Sequence, residues 1–202
     1  MKIYPHFSVV GFCNTYIVAP DEPGQAVIVD PGHMDTALLD ILVKGKWTVG
    51  SILLTHSHPS HCQGLGTLLK IYADAKVYAA SDNLGIPSLL VQDGKPFNAS
   101  GFSVMPMHVP GHSLDSMVYL LGKAMFTGDT LESGTIGGTA GYLEQELLCA
   151  SIESKLFPLD GNCLIFPGHG PISKLRIEQL FNQEMSQMGA VVRTRKYWSG
   201  AS

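Results

Sequence analysis

The chain has little charge. Only 15% of its 202 residues are Asp, Glu, Lys or Arg, against about 25% in an average globular protein. It has no basic excess either: 13 Lys and Arg stand against 17 Asp and Glu, for a net charge of −4. General nucleic-acid binding is thereby disfavoured, because it rests on neutralising phosphates. No 18 consecutive residues are apolar, so no transmembrane helix is expected and no membrane partner. The opening Met1 to His6 does not read as a signal peptide, and the apolar run Phe7 to Phe12 is too short for one. A cytoplasmic protein is the expectation. Cysteine is scarce. Cys13, Cys62, Cys149 and Cys163 are never closer than 14 residues, which excludes a Cys-x-x-Cys zinc knuckle or thioredoxin-type motif. They read as reduced, mostly buried thiols. The low hydrophobicity that marks disorder is missing too, since 45% of residues are apolar.

What the chain does have is glycine, 22 residues, against an average share of about 7%. Tight turns should be many. Between them, strand-like and helix-like segments alternate. Thr15 to Ala19 and Ala26 to Asp30 read as a hairpin around Pro20-Asp21-Glu22-Pro23-Gly24. Asp35 to Val43, Gln63 to Tyr72, Leu143 to Leu156 and Leu175 to Met188 carry helical periodicity. Val49 to Leu54, Lys76 to Ala79, Phe102 to Val109, Met117 to Leu121, Ala124 to Thr127 and Cys163 to Phe166 read as strands. Asp82 to Ser100 and Gly134 to Gly141 read as loops. The whole forms one α/β or α+β domain over 1–202. The stretch Val191 to Trp198 gathers three basic residues and reads as a solvated end, with Tyr197 and Trp198 packed back on the body.

The histidines are concentrated. Three fall within six positions in Thr55-His56-Ser57-His58-Pro59-Ser60-His61, on what reads as a loop directly after an apolar strand. One histidine is usually structural. Three at this spacing, at a strand end with few charges nearby, point to metal ligation. Three further strands end in glycine followed by a ligand-type residue: Pro110-Gly111-His112, Thr127-Gly128-Asp129 and Pro167-Gly168-His169. Each alone reads as a turn. Together they repeat one design, in which strand ends converge on one edge. His6 and His108 read as structural.

This set of motifs resembles the metallo-β-lactamase-fold superfamily of metal-dependent hydrolases, and within it the glyoxalase II (hydroxyacylglutathione hydrolase)-like group. The likeness runs from about residue 14 to 183. The family pattern is a strand ending in Asp, then His-x-His-x-Asp-His, then a distant His, an Asp and a His. The matching positions are Asp30, then His56, His58 and His61, then His112, Asp129 and His169. The resemblance implies an αββα sandwich of two mixed β-sheets flanked by helices. It implies one metal held by His56, His58 and His112. Asp129 would bridge to a second, held by His61 and His169. Asp30 would orient a ligand histidine from behind.

The resemblance also implies chemistry: hydrolysis of a small thioester or ester by metal-activated water, with Asp129 and His61 as catalytic residues. Zinc is the expected metal, one or two per chain, with iron or manganese as alternatives. The chain departs from the pattern at Ser60, where the family has the acidic residue of His-x-His-x-Asp-His. That removes a charged ligand and implies a weakened second site, with Ser60 left to hydrogen-bond water. The chain is similar to short, single-domain members that lack a glutathione-binding helical domain. The alternatives are a mono-iron persulfide dioxygenase-like enzyme and a non-catalytic metal-binding member. The sequence leaves the oligomeric state open.

Overall fold

The computed structural model describes residues 1–187. Its first sheet runs in the order β1 (Lys2–Phe7), β2 (Asn14–Ala19), β3 (Gly24–Val29), β4 (Trp47–Leu53), β5 (Lys76–Ala79), β6 (Leu89–Leu90). β1 to β3 pair antiparallel and β3 to β6 parallel. The second sheet comprises β7 (Phe97–Ala99), β8 (Phe102–His108), β9 (Met117–Leu121), β10 (Ala124–Gly128), β11 (Leu164–Pro167) and β12 (Ser173–Lys174), again in sequential order. Only its β10–β11 pair is parallel.

Both sheets are mixed, and each is covered on both faces. The period-2 alternation of strands assigns the faces. In β2, Tyr16 and Val18 point between the sheets, with Val29, Leu53, Tyr119, Phe126 and Phe166. Ile17 and Ala19 point the other way, onto Leu38 and Leu42 of α1 (Thr36–Gly45) and Leu65 and Leu68 of α3 (Leu65–Ile71). The second sheet buries Met107, Val118, Met125 and Ile165 under Leu148 of α4 (Tyr142–Ser151) and Leu175 of α5 (Leu175–Phe181). The result is the αββα sandwich. Helix α1 starts where expected, because the Asp35 carboxylate accepts from the Leu38 N–H at 2.9 Å.

Several expectations are corrected. β1 was not foreseen, because Pro5 lies inside it. Pro5 is tolerated because β1 is an edge strand of its sheet. The segment 82–100 contains β6 and β7 and is not loop throughout. The helix read over 143–156 ends at Ser151, and Ile152–Leu156 widens into a π-turn. The closing helix stops at Phe181. Asn182 leaves helical geometry at ψ 115, and helical backbone resumes over 183–187. The histidine cluster is only partly loop, since His61 stands on the short helix α2 (Pro59–Cys62). Val191 to Trp198 lies outside the described residues. Among the described residues no helix is long and apolar enough to cross a membrane, and the four cysteines are free thiols.

Candidate metal centre

Five strand ends of the two sheets meet at one edge of the sandwich. β3 delivers Asp30, β4 the segment 55–61, β8 the loop to His112, β10 Asp129 and β11 His169. Asp30 takes φ +50, a left-handed conformation rare for a residue with a side chain. Such strain persists where surrounding contacts over-determine it. Here the buried Thr15 hydroxyl donates to the Asp30 carbonyl at 2.6 Å, and the Thr55 N–H donates to Asp30 Oδ1 at 2.8 Å.

Asp30 sets the ring orientations behind the centre. Its Oδ2 accepts from Thr55 Oγ1 at 2.7 Å and from His61 Nδ1 at 3.0 Å. Thr55 Oγ1 has then spent its proton, so it accepts from His56 Nδ1 at 3.1 Å. On the far side His112 Nδ1 donates to the Gly138 carbonyl at 2.6 Å. In all three rings Nδ1 holds a proton and Nε2 faces inward, and the lowered His56 and His112 present it as a lone pair. This is how metal-ligating histidines are held.

The inward atoms crowd together. His58 Nδ1 lies 3.0 Å from His56 Nε2 and 2.9 Å from His112 Nε2. Asp129 Oδ2 lies 3.6 Å from His112 Nε2 and 3.9 Å from His56 Nε2. A tetrahedron of ligands around zinc, with bonds near 2.0–2.1 Å, has edges of about 3.3 Å. The four spacings straddle that edge, and the three histidines alone form a set within reach of one cation. A second group adjoins it. His61 Nε2 is 3.3 Å from Asp129 Oδ2, and His169 Nδ1 donates to Asp129 Oδ1 at 2.8 Å. His61 Nε2 is the one buried side-chain nitrogen or oxygen without a hydrogen-bond partner among the described residues. An orphaned buried nitrogen aimed at a carboxylate and flanked by other imidazoles fits a cation. Three sets of donor atoms lie close enough to hold one: His56, His58 and His112; His56, His61 and Asp129; and Asp129, Glu132 and His169.

The electrostatics follow from burial and charge. Burial would raise the Asp129 carboxyl, but the hydrogen bond from His169 and the charge of the adjacent His61 hold it far below the usual carboxylate range. Burial would lower His61, but Asp30 and Asp129 overcome it and push the imidazole up to about 10. Burial and then the neighbouring His61 push His56 down to about 3. His112 is lowered, burial first. His169 is raised by its hydrogen bond to Asp129.

The sequence-read residues Asp30, His56, His58, His61, His112, Asp129 and His169 thus gather in one place. Ser60 stands beside the centre on α2, where its carbonyl accepts from the Cys13 thiol at 2.6 Å. A methyl on Gly32 would overlap that carbonyl, so glycine is required there. Two residues were missed. Thr55 relays Asp30 to His56. Glu132 sits with Asp129 and His169, and its half-buried carboxyl is raised by burial and by Asp129. No motif pointed to Glu132; it comes three residues after Asp129, on a loop that turns back. Among the structural histidines, His6 pairs with Asp35 at 3.1 Å and His108 Nε2 donates to the Leu114 carbonyl at 2.7 Å.

Comparison with known proteins agrees with this geometry. Residues 8–84 match the model of the metallo-beta-lactamase superfamily. A hydroxyacylglutathione hydrolase of Francisella tularensis subsp. novicida is 35% identical over 152 residues, covering 73% of this chain and 60% of that protein. The chain therefore spans less than two thirds of that relative's length. A hydroxyacylglutathione hydrolase of Francisella philomiragia is 33% identical over 188 residues, covering 87% of this chain and 73% of the relative. The crystal structure of ETHE1 from Myxococcus xanthus superposes with TM-score 0.82 at 25% identity, covering 91% of this chain and 84% of that one. Fold, ligand-type residues and relatives agree: the chain belongs to the metallo-β-lactamase superfamily, in its hydroxyacylglutathione hydrolase (glyoxalase II)-like group.

Proposed function

We propose that this protein hydrolyses a small thioester or ester at a zinc-type centre held by His56, His58, His112 and Asp129, with His61 and His169 beyond Asp129. The observation that carries the reading is the convergence of imidazoles on Asp129: the Nε2 atoms of His61, His112 and His56 lie 3.3, 3.6 and 3.9 Å from Oδ2, and that of His61 is buried without a hydrogen-bond partner. The names of the Francisella relatives support the hydrolase class and a thioester as the first substrate to try.

A divalent metal bound there supplies a water with a pKa near 7 and a Lewis acid for the substrate carbonyl. The chain's own residues do the rest. Asp129 remains ionised and orients the attacking water through Oδ2. Its carboxyl is held too far down to store the proton. His61 holds a proton at Nδ1 against Asp30 throughout. His58 is the exposed ligand, so substrate approaches on that side. A groove of about 430 Å³, with Val91, Leu114 and Met117 as apolar lining and Asp93 and Asp115 as its acidic groups, reaches the histidine run through Asp115, which accepts a hydrogen bond from Ser57. That lining suits a small acyl group better than a polyanion.

The test is thioester hydrolysis by the metal-loaded protein, compared with the chelated protein. Activity restored by metal supports the reading; a loaded protein inert towards a panel of thioesters and esters sinks it. A second reading, a mono-iron persulfide dioxygenase-like enzyme, draws on the likeness to the Myxococcus ETHE1 structure. It needs only the His56, His58 and His112 group. Oxygen uptake with a persulfide, in the absence of thioester hydrolysis, would select it.

A further inference from the structure

Ser60 leaves the second group of ligands short of a charge. Its hydroxyl is neutral, so His61, Asp129 and His169 offer that side one carboxylate, already shared with the first group. Two divalent cations would add four positive charges against very little. A replacement carboxylate is present from another direction. One oxygen each of Glu132 and Asp129 and one nitrogen of His169 lie within 4.8 Å of one another. The Glu132 carboxylate has neither a hydrogen-bond nor an ion-pair partner in the protein, among the described residues. We propose that Glu132 is the carboxylate ligand of the second metal in this chain, in the place that Ser60 has vacated. The proposal rests on the metal-centre reading above and adds a ligand to it.

The loop that carries Glu132 is built to hold it. Leu131 and Ile136 bridge the loop's base, and the Glu132 N–H donates to the Thr135 carbonyl at 3.1 Å. The C-terminal elements clamp it from behind. Glu178 accepts from the Gly134 N–H at 2.9 Å, and Glu184 accepts from the Ile136 N–H at 2.9 Å and from Thr135 Oγ1 at 2.7 Å. Asn182 donates to the Thr135 carbonyl at 2.8 Å. Asn182, so engaged, is the residue at which the backbone leaves α5 after Phe181. A clamped loop holds the carboxylate beside Asp129, a like charge, at an energetic cost to the metal-free fold. That cost makes sense if a cation relieves it.

The experiment uses zinc alone, titrated into chelator-treated protein, with metal content by elemental mass spectrometry and affinity by competition with a chromophoric chelator. Wild type should take two equivalents. Glu132→Gln should keep the first at its wild-type affinity and weaken the second at least tenfold. Glu132→Gln with Ser60→Asp should recover the second. The metal-free melting temperature adds a readout that a merely structural Glu132 would move the other way. As a ligand in a repulsive setting, its replacement should leave that temperature unchanged or higher. Should Glu132→Gln fold poorly, Glu132→Asp keeps the charge on a shorter stem and should weaken only the second equivalent. A wild type that saturates at one equivalent overturns the proposal, as does a second equivalent held within twofold in Glu132→Gln, or one held within twofold in Glu132→Asp where Glu132→Gln folds poorly. A protein that binds no zinc overturns the metal-centre reading as well. Two Glu132-dependent equivalents without thioester or ester hydrolysis would leave this ligand standing and sink only the hydrolase reading.

Discussion

Asp30 Oδ2 accepts a hydrogen bond from His61 Nδ1 at 3.0 Å, and the contact is fully buried on the His61 side. It decides which nitrogen of His61 faces Asp129. Asp30→Asn keeps the shape and removes the charge. An amide NH2 turned toward His61 Nδ1 would flip the tautomer and spend Nε2 on a proton. Metal affinity should fall about 10- to 100-fold, the usual effect of losing such a partner. Competition against a chelator checks this. Wild-type affinity in Asp30→Asn would show that His61 does not need orienting.

The metal-free protein should be most stable near pH 6.5. His56 has its pKa in the fold lowered to about 3 from an ordinary 6.5. Below 6.5 the unfolded chain binds a proton there that the fold does not, so stability climbs with pH up to that point. His112 acts in the same sense. His61 is the opposite case, raised to about 10. Its contribution is complete below 6.5 and is lost as the pH rises towards 10. His169 is raised too. Asp129 is lowered, so its contribution holds above 3.8 and fails as the pH drops through its low value in the fold. Melting temperatures of chelated protein between about pH 4 and 8.5 test the sum. A curve flat from 6.5 to 8.5 would mean that His61 is neutral when metal-free.

Much of this centre was legible because each ligand follows a readable signal. An apolar strand ends, a glycine or a histidine run follows, and the sheets bring such ends together. Asp30, His56, His58, His61, His112, Asp129 and His169 all belong to such a strand-end motif. Glu132 does not. Its position depends on a loop closed by Leu131 and Ile136 and clamped by Glu178 and Glu184, and no local pattern encodes contacts at such separation. Thr55 was passed over because its neighbour His56 took the signal. Among the elements, β1 was hidden by Pro5, which only its edge position makes acceptable. Leu175 to Met188 reads as one helix by periodicity. The Asn182 side chain, engaged with Thr135 and Glu178, breaks it.

Gly168 is a position where space, not backbone freedom, matters. A methyl there would overlap Asp129 Oδ1 and His61 Cε1. Gly168→Ala should therefore displace both side chains. We expect at least a tenfold loss of zinc affinity, with a stability cost of about 1–3 kcal/mol from overpacking. Gly101 provides the contrast. It has φ +88 with open space around its Cβ position. Gly101→Ala should cost about 1–2 kcal/mol from left-handed strain alone and leave zinc affinity unchanged. Paired melting and titration curves check both. Equal affinity in the two variants would refute the packing account of Gly168.

Asp129 divides its two oxygens between the two groups. Oδ2 faces His61, His112 and His56 at 3.3, 3.6 and 3.9 Å, and Oδ1 accepts from His169 at 2.8 Å. An asparagine has only one oxygen to offer. Turned towards the first group, its NH2 would meet His169, where a donor already points. Turned the other way, it would aim that NH2 at ring nitrogens held as lone pairs, and repel the cation they await. Asp129→Asn should therefore hold at most one metal equivalent and turn over at least about 100-fold more slowly, the scale of misplacing a reacting group by about an ångström. Asp129→Ala loses both oxygens and should be inactive. Metal content separates the two causes of lost rate. An Asp129→Asn protein with two equivalents and low turnover would assign Asp129 to orienting water. One with a single equivalent would make it chiefly the bridge. Wild-type turnover in either variant would remove Asp129 from the mechanism.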